Sequence, residues 1–323
     1  MRWTFIAWAP QSRRSEVFAR TFSGNLYCVH YLKFRAPLYA PAKYVLQALS
    51  TLQILFKERA QVVHVQTPPF FCGLTAYLYC LVSRAQFVFD HHSAVFLPTW
   101  DWALPIHKFL SRRATTNIVT NQHWADIVRS WGGHALIMGD PFLDLPPGEK
   151  YRVKSGFNIA VVNTFAFDEP IEVVLAAASD LPDVNFYITG NTKRKPASFF
   201  ENIPPNVTFT GFLPDAQYLG LLRAVDAIGV LTTRNYTLQL GACEAVSAQK
   251  PILISDWPFL REFFSRGTVY VSNDGDGVRR GVEKMREQYD TLAQEVKTLR
   301  RELQDKWQAQ LAELEALVQR RHN

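Results

Sequence analysis

From Trp3 to Val271 the chain repeats one theme: a short run of apolar, often β-branched or aromatic residues, a polar turn, then a helical stretch. Trp3 to Trp8 reads as a strand, as do Val62 to Val65, Gln86 to Phe89 ending at Asp90, Asn117 to Thr120, and Ala135 to Met138. Helical patterns fill Phe70 to Ser83 and Gln122 to Trp131, the second stopped by Gly132-Gly133. Strands separated by helices must run parallel, and a parallel sheet needs helices on both faces. From Gly139 to Gly156 the composition changes to Pro141, Pro146, Pro147 and Gly148 amid charges, which is linker chemistry. The alternation then resumes. Phe157 to Asn163, Val184 to Thr189, Asn206 to Phe209, Ala227 to Leu231, Ile252 to Ser255 and Thr268 to Val271 read as strands. Glu169 to Ser179 reads as a helix, and Asp215 is the expected N-cap of another running to Ala224. The expectation is α/β: two Rossmann-like, doubly wound domains, residues 1–145 and 157–280, facing across a cleft. Ligands of such sheets lie at the carboxyl ends of the strands.

Residues 281–323 are different. Val282 to Arg321 contains no Gly or Pro and is rich in Glu, Lys, Arg and Gln. Met285, Tyr289, Leu292, Val296, Leu299 and Leu303 recur at steps of three and four, continued by Trp307, Leu311, Leu314 and Leu317. That is the apolar stripe of one long amphipathic helix. It can fold back on the first domain or pair as a coiled coil, and the imperfect heptad argues against the coil.

With 323 residues, 48% of them hydrophobic and 20% charged, the chain can bury a large core and needs no staple. Cys28, Cys72, Cys80 and Cys243 have no metal-ligand or C-x-x-C spacing and read as reduced thiols of a cytoplasmic protein. The start, Met-Arg-Trp-Thr-Phe-Ile-Ala-Trp-Ala-Pro, reads as a strand and turn rather than a secretory leader. Pro68 to Val82 is too short to span a bilayer. Charge is divided unevenly. Residues 1–150 carry 15 Lys and Arg against 8 Asp and Glu, whereas residues 151–323 carry 20 against 21. An anionic partner is expected for the first half. Arg13-Arg14 and the stretch from Lys33 and Arg35 to Lys43 alternate with Tyr31, Leu38, Tyr39 and Tyr44, which suits the interface of an anionic membrane or, equally, a solvated face. No nucleic-acid recognition motif is present, so that partner class is set aside.

The segment with the most chemical content runs from Leu240 to Ser255. Small residues, Gly241 and Ala242, open a short helix; Glu244 stands in its first turns; Lys250-Pro251 breaks it; a β-branched strand follows. A helix start of small residues presents backbone N–H groups and a positive dipole end to a phosphate. A carboxylate one turn later can accept hydrogen bonds from a ribose diol. This segment resembles the E-A-x-x-x-G-K-P-(V/I)-(L/I) block of GT-B glycosyltransferases, the family-4 kind in particular. The family's other Glu, eight positions earlier, is Tyr236 here, and Gln249 replaces its Gly. The resemblance implies a nucleotide-sugar donor, UDP- or GDP-linked, held by the second domain, with no metal or further cofactor. It implies a glycan or lipid-linked acceptor on the first domain and retention of anomeric configuration, the leaving phosphate taking the acceptor's proton.

Further donor contacts are expected from the loops around this helix. Arg234, Thr237, Gln239 and Gly241 lie on the loop that wraps sugar and diphosphate in such enzymes; Arg234 can offset phosphate charge. Asn163 and Thr164 follow the first strand of the second domain, where the family holds the donor phosphate, although its Gly and Lys are missing. Gly190 permits close backbone approach at a strand end. Gly211-Phe212-Leu213-Pro214 matches the turn that lies against the base. In the first domain, the strand ending Phe89-Asp90-His91-His92-Ser93 delivers polar groups to the carboxyl edge. Asp90 is the candidate general base, which would permit inversion; His91 and His92 are candidate donors to the departing phosphate or sugar. Each of the three can instead be a cap or a satisfied core group. Ser12, Arg13 and Arg14 follow the first strand and are candidates for an acceptor phosphate, unless this stretch opens a helix. A metal site is not expected, because adjacent histidines on an extended chain point to opposite sides. The alternatives are a sugar-nucleotide epimerase of the same fold and a non-catalytic glycosyltransferase-like partner subunit.

Overall fold

The computed structural model describes residues 1–31, 39–140 and 145–320. Lys33, Arg35 and Leu38 of the basic-aromatic stretch, Pro141 of the linker and Arg321 at the end of the long helix lie outside the described residues. The chain divides into two compact units, one of residues 1–141 and 307–323, the other of residues 142–306.

The first unit contains a parallel sheet of order β2-β1-β3-β4-β5-β6, built from β1 (Trp3–Ala7), β2 (Asn25–Cys28), β3 (Val62–Thr67), β4 (Gln86–His91), β5 (Thr116–Val119) and β6 (Ala135–Ile137). The connecting helices are α1 (Arg13–Thr21), α2 (Ala40–Glu58), α3 (Phe70–Ser83), α4 (Leu104–Arg113) and α5 (Gln122–Ser130). Helices α2, α3 and α4 cover one face, where Leu55, Phe70, Ala76 and Leu110 pack on Val63, Val65, Phe87 and Phe89. Helix α1 covers the other face, with Phe18 against Phe5, Val62, Val88 and Ile118. Complete burial of side chains such as Phe5, Phe18 and Phe89 contributes about 1.5–3 kcal/mol each.

The second unit repeats the plan with order β12-β11-β10-β7-β8-β9. Its strands are β7 (Phe157–Val161), β8 (Val184–Thr189), β9 (Val207–Gly211), β10 (Ala227–Val230), β11 (Ile252–Ser255) and β12 (Thr268–Val271). Its helices are α6 (Ile171–Ser179), α7 (Asp215–Ala224), α8 (Leu240–Ser247), α9 (Pro258–Phe263), α10 (Gly275–Glu287) and the start of α11 (Tyr289–Arg320). All pairings in both sheets are parallel. The two doubly wound sheets and the long C-terminal helix are the expected ones.

Three local expectations need correction. The helix expected from Val282 starts seven residues earlier, because the Asp274 side chain caps it by accepting from the Gly277 N–H at 2.7 Å. That helix ends at Glu287, and Gln288, with φ −106° and ψ 15°, separates it from α11. Asp215 is the first helical residue of α7 rather than its cap. The extended Pro214 holds the cap position without a side-chain bond, and the Asp215 carboxylate still faces the positive end of the helix. The stretch after Pro10 does open a helix, α1, with Ser12 as its N-cap. The apolar stripe of α11 divides its contacts: Leu292 to Leu303 pack in the second unit, Trp307 to Val318 in the first.

Candidate functional site

Consecutive strands of the second sheet leave β7 in opposite directions, β8 and β9 to one side, β10, β11 and β12 to the other. The carboxyl ends of β7 and β10 therefore flank a topological switch point, where the connecting loops diverge and open a crevice. The loop after β7 and the loop from β10 into α8 border it, and they carry most of the donor residues expected from the sequence.

Helix α8 opens after Gln239 with no side-chain cap, so its first turn depends on other partners for its N–H groups. Gly241 is buried, and a Cβ there would come within 2.7 Å of Val162 and 3.3 Å of Val230. Its lack of a side chain is thus what lets the start of α8 sit directly on the ends of β7 and β10. One turn on, Glu244 is 8% exposed, and its Oε2 accepts a hydrogen bond from the Tyr218 hydroxyl at 2.5 Å. Thr237 and Gln239 lie half-buried in the preceding loop, where Tyr236 has a left-handed backbone with φ 56°.

Asp168 ties the two loops together. Its backbone carbonyl accepts from the Thr233 N–H at 2.8 Å, and its carboxylate stands 3.4 Å from the Thr232 hydroxyl and 3.9 Å from Arg234. Arg234 is thereby held beside the crevice by a partly screened carboxylate. Gly190 has φ 112°, and a Cβ would collide with the Asn163 carbonyl, so glycine is required by close packing of the strand ends. At Gly211, φ is 70° and a Cβ would meet nothing within 4 Å; the next residue, Phe212, is 81% exposed. Phe167, on the loop after β7, is 88% exposed. Exposed aromatic rings at the carboxyl edge of a sheet are surfaces on which a base or sugar ring can stack.

Asn163 and Thr164 do not present themselves to a phosphate. The Asn163 Oδ1 caps the Phe165 N–H at 2.7 Å. Glu169 fills the turn: its carboxylate accepts from the Thr164 and Ala166 N–H groups at 2.7 and 3.0 Å and from the Thr164 hydroxyl at 3.1 Å. The turn is an anion-binding nest, but its anion is a side chain of the same loop.

In the first unit the expected catalytic cluster is mostly structural. Asp90 is completely buried, and both its oxygens accept from Arg14 Nε, at 3.1 and 2.9 Å. Arg14 also bonds Asp140 at 2.9 Å and the carbonyls of Gly139 and Met138. Burial raises the Asp90 pKa, but Arg14, with His64 and His92, outweighs it and holds the carboxyl below its ordinary value. Asp90 is therefore a buried carboxylate paired with Arg14, not a base open to an acceptor, and Arg14 is committed to that pair rather than to a phosphate. His91 is corrected likewise. Its Nε2 meets the Asn117 Oδ1 and its Nδ1 the Thr67 hydroxyl, both at 2.9 Å. The Asn117 amide nitrogen donates to two carbonyls, which leaves its oxygen to accept from Nε2–H. Burial lowers its pKa to about 4. His92 is half-buried at the end of β4, its Nε2 without a hydrogen-bond partner. Ser12 is used as the cap of α1, accepting from the Ser15 N–H at 3.2 Å, and Arg13 is exposed on that helix.

Residues 171–316 match a family model described as glycosyl transferase-like. No curated protein matches the chain by sequence. Among solved structures, a sucrose-phosphate synthase from Thermosynechococcus elongatus is similar over 99% of both chains, with a TM-score of 0.73 at 13% identity. The fold is GT-B. HepE of Anabaena in complex with UDP-glucose aligns over 98% of this chain and 100% of its own, with a TM-score of 0.70 at 10% identity. A glycosyltransferase from Rickettsia africae aligns over 99% and 98%, with a TM-score of 0.66 at 10% identity. Within this GT-B chain, Tyr218, Asp168, Glu169 and Phe167 belong to the candidate site and were not singled out from the sequence. Asp168 and Glu169 had one available signal, an acidic pair directly after a strand-end loop. Tyr218 had none, because its partner lies on another helix.

Proposed function

We propose that the protein is a glycosyltransferase of the family-4 kind that moves a sugar from a UDP- or GDP-linked donor to a glycan or lipid-linked acceptor in the cytoplasm, with retention of configuration. The observation that carries this reading is the uncapped start of α8 at the switch point of the second sheet, with Glu244 one turn on. The donor diphosphate would lie on the first-turn N–H groups of α8, with Arg234 beside it. Helix dipole and guanidinium together would offset its charge, so that no metal is required. The ribose diol would donate to Glu244, whose carboxylate the Tyr218 hydroxyl orients. The base would stack on Phe212, in the open space around Gly211. The HepE structures hold UDP and UDP-glucose, which supports the uridine series. Retention is supported by the sealed position of Asp90. With that carboxylate unavailable, the acceptor's proton goes to the leaving phosphate as the new glycosidic bond forms.

A second reading, a non-catalytic partner subunit, is favoured by Tyr236 in place of the family's Glu and by Glu169 filling the turn after β7. Calorimetric titration with UDP, GDP and ADP separates the two. Micromolar binding of one nucleotide, weakened at least tenfold by Glu244→Ala, is the expected result, as loss of a hydrogen bond to a charged group costs about 1.5–3 kcal/mol. Failure of the folded protein to bind any of the three would overturn the transferase reading and leave the partner subunit.

A further inference from the structure

We propose that the outer face of the α2–α3–α4 layer docks on an anionic lipid bilayer. The inner sides of these helices pack on the first sheet, yet their outer sides stay apolar. Helix α2 exposes Leu49 and Phe56, α3 exposes Leu81 and Val82, and α4 with the turn before it exposes Phe109 and Trp102. Val82 is 70% and Trp102 64% exposed. Ring contacts tie the three helices into one layer. Phe56 meets Tyr79 across α2 and α3 at 5.0 Å, Phe109 meets Tyr77 across α4 and α3 at 5.4 Å, and Trp102 meets Phe70 at 5.5 Å. Large apolar side chains left exposed together on neighbouring helices mark an interaction site.

Charge selects the partner. Helix α3 carries no charged residue, and residues 40–113 hold 7 Lys and Arg against 3 Asp and Glu. Two of those acids are already engaged: Asp90 by Arg14, and Glu58 by Asn25 and Tyr27. The three helices all return from the carboxyl to the amino edge of a parallel sheet, so they end on one side of the layer. Each end is basic: Lys57 in the last turn of α2 and Arg59 after it, Arg84 after α3, Arg113 on α4. An apolar centre bordered by basic side chains matches acyl chains beneath anionic headgroups. A second copy of the chain would bring two like-charged rims together, and a nucleic acid would leave the apolar centre in water. The proposal rests on exposure and charge alone and stands apart from the transferase reading.

The test is sedimentation of the full chain with phosphatidylcholine vesicles, with and without phosphatidylglycerol, together with quenching of tryptophan fluorescence by bromine-labelled acyl chains. Binding is expected to require the anionic lipid and to weaken with salt. Arg84→Gln with Arg113→Gln should lower affinity roughly thirty-fold, from about 1 kcal/mol per basic residue at the surface. Leu81→Asn with Val82→Asn should lower it about tenfold or more, and Trp102→Phe should remove part of the quenching. All five positions are exposed, so unchanged melting temperatures serve as the folding control. Absence of binding, equal binding to neutral vesicles, or a dimer dissolved by Leu81→Asn with Val82→Asn would each overturn the proposal, the last assigning the face to a second copy.

Discussion

Replacing Asp90 by Asn removes a negative charge from a site that water does not reach. Arg14, itself buried, loses the partner that meets its Nε with both oxygens and keeps Asp140 and two backbone carbonyls. Breaking a buried pair at one end costs about 3–5 kcal/mol, and the surviving Asp140 contact places Asp90→Asn at about 3 kcal/mol. For a unit of about 160 residues, where 1 kcal/mol moves the melting temperature by about 2–4 °C, that is a drop of about 6–12 °C. Arg14→Met should cost more, since it strands the Asp90 carboxylate at zero exposure with His64, 4.0 Å away, and His92 as the remaining potential cations. The double variant should cost less than the two single costs together by about 2 kcal/mol, because the stranded charge is then gone. Urea unfolding at neutral pH, followed by far-ultraviolet circular dichroism, measures all three. Strict additivity would refute the coupled core pair. So would an Asp90→Asn protein of normal stability whose transfer activity had vanished, for that is the signature of a base.

Acid should weaken the first unit before its carboxylates titrate. Burial drops the pKa of His64 and His91 to about 4 and that of His107 to about 2. These rings are neutral in the fold and protonate in the unfolded chain below about 6.5, so their contribution is complete above that pH and is lost as pH falls toward 4. The slope approaches 1.4 kcal/mol per pH unit for each ring; thermal melts across this range measure it, and a flat profile refutes it. Phe212→Ala should raise the Kd for the bound nucleotide about five- to 150-fold, from a stacking contribution of about 1–3 kcal/mol. With 81% of that side chain exposed, the melting temperature should not move. A Phe212→Ala protein with unchanged affinity would exclude stacking there.

The alternation that sets both sheets was readable because strand and helix periods are local. Most strands began and ended within a residue or two of expectation. Four elements escape the pattern: β2 lies inside the stretch from Arg13 to Lys43 whose charge dominates it, α2 begins within that stretch, and α4 and α9 are too short to show a clear period. The candidate site was less readable, since its residues are defined by partners far along the chain. Arg14 looks like a phosphate ligand until Asp90, 76 positions away, claims it. Glu244 gains Tyr218 from another helix, 26 positions earlier. Thr164 has its partner only five residues on, but an acceptor for two backbone N–H groups leaves no mark in a pattern of side chains. The sequence pattern gives Gly241 a role at the phosphate, whereas the structure needs it for the passage of α8 over Val162.

Helix α11 has a consequence for the order in which the chain can acquire its structure. Trp307, Leu311, Leu314 and Val318 complete the layer over Phe5, Phe18, Val88 and Ile118, so the first unit is discontinuous and its sheet stays uncovered there until the final turns have been synthesised. The second unit, continuous from 142 to 306, has its whole sequence available earlier. Vectorial synthesis would then finish the C-terminal half first, the reverse of the usual N-terminal-first sequence. A released chain truncated after Lys306 should show a protease-resistant second unit beside a first unit still open to cleavage.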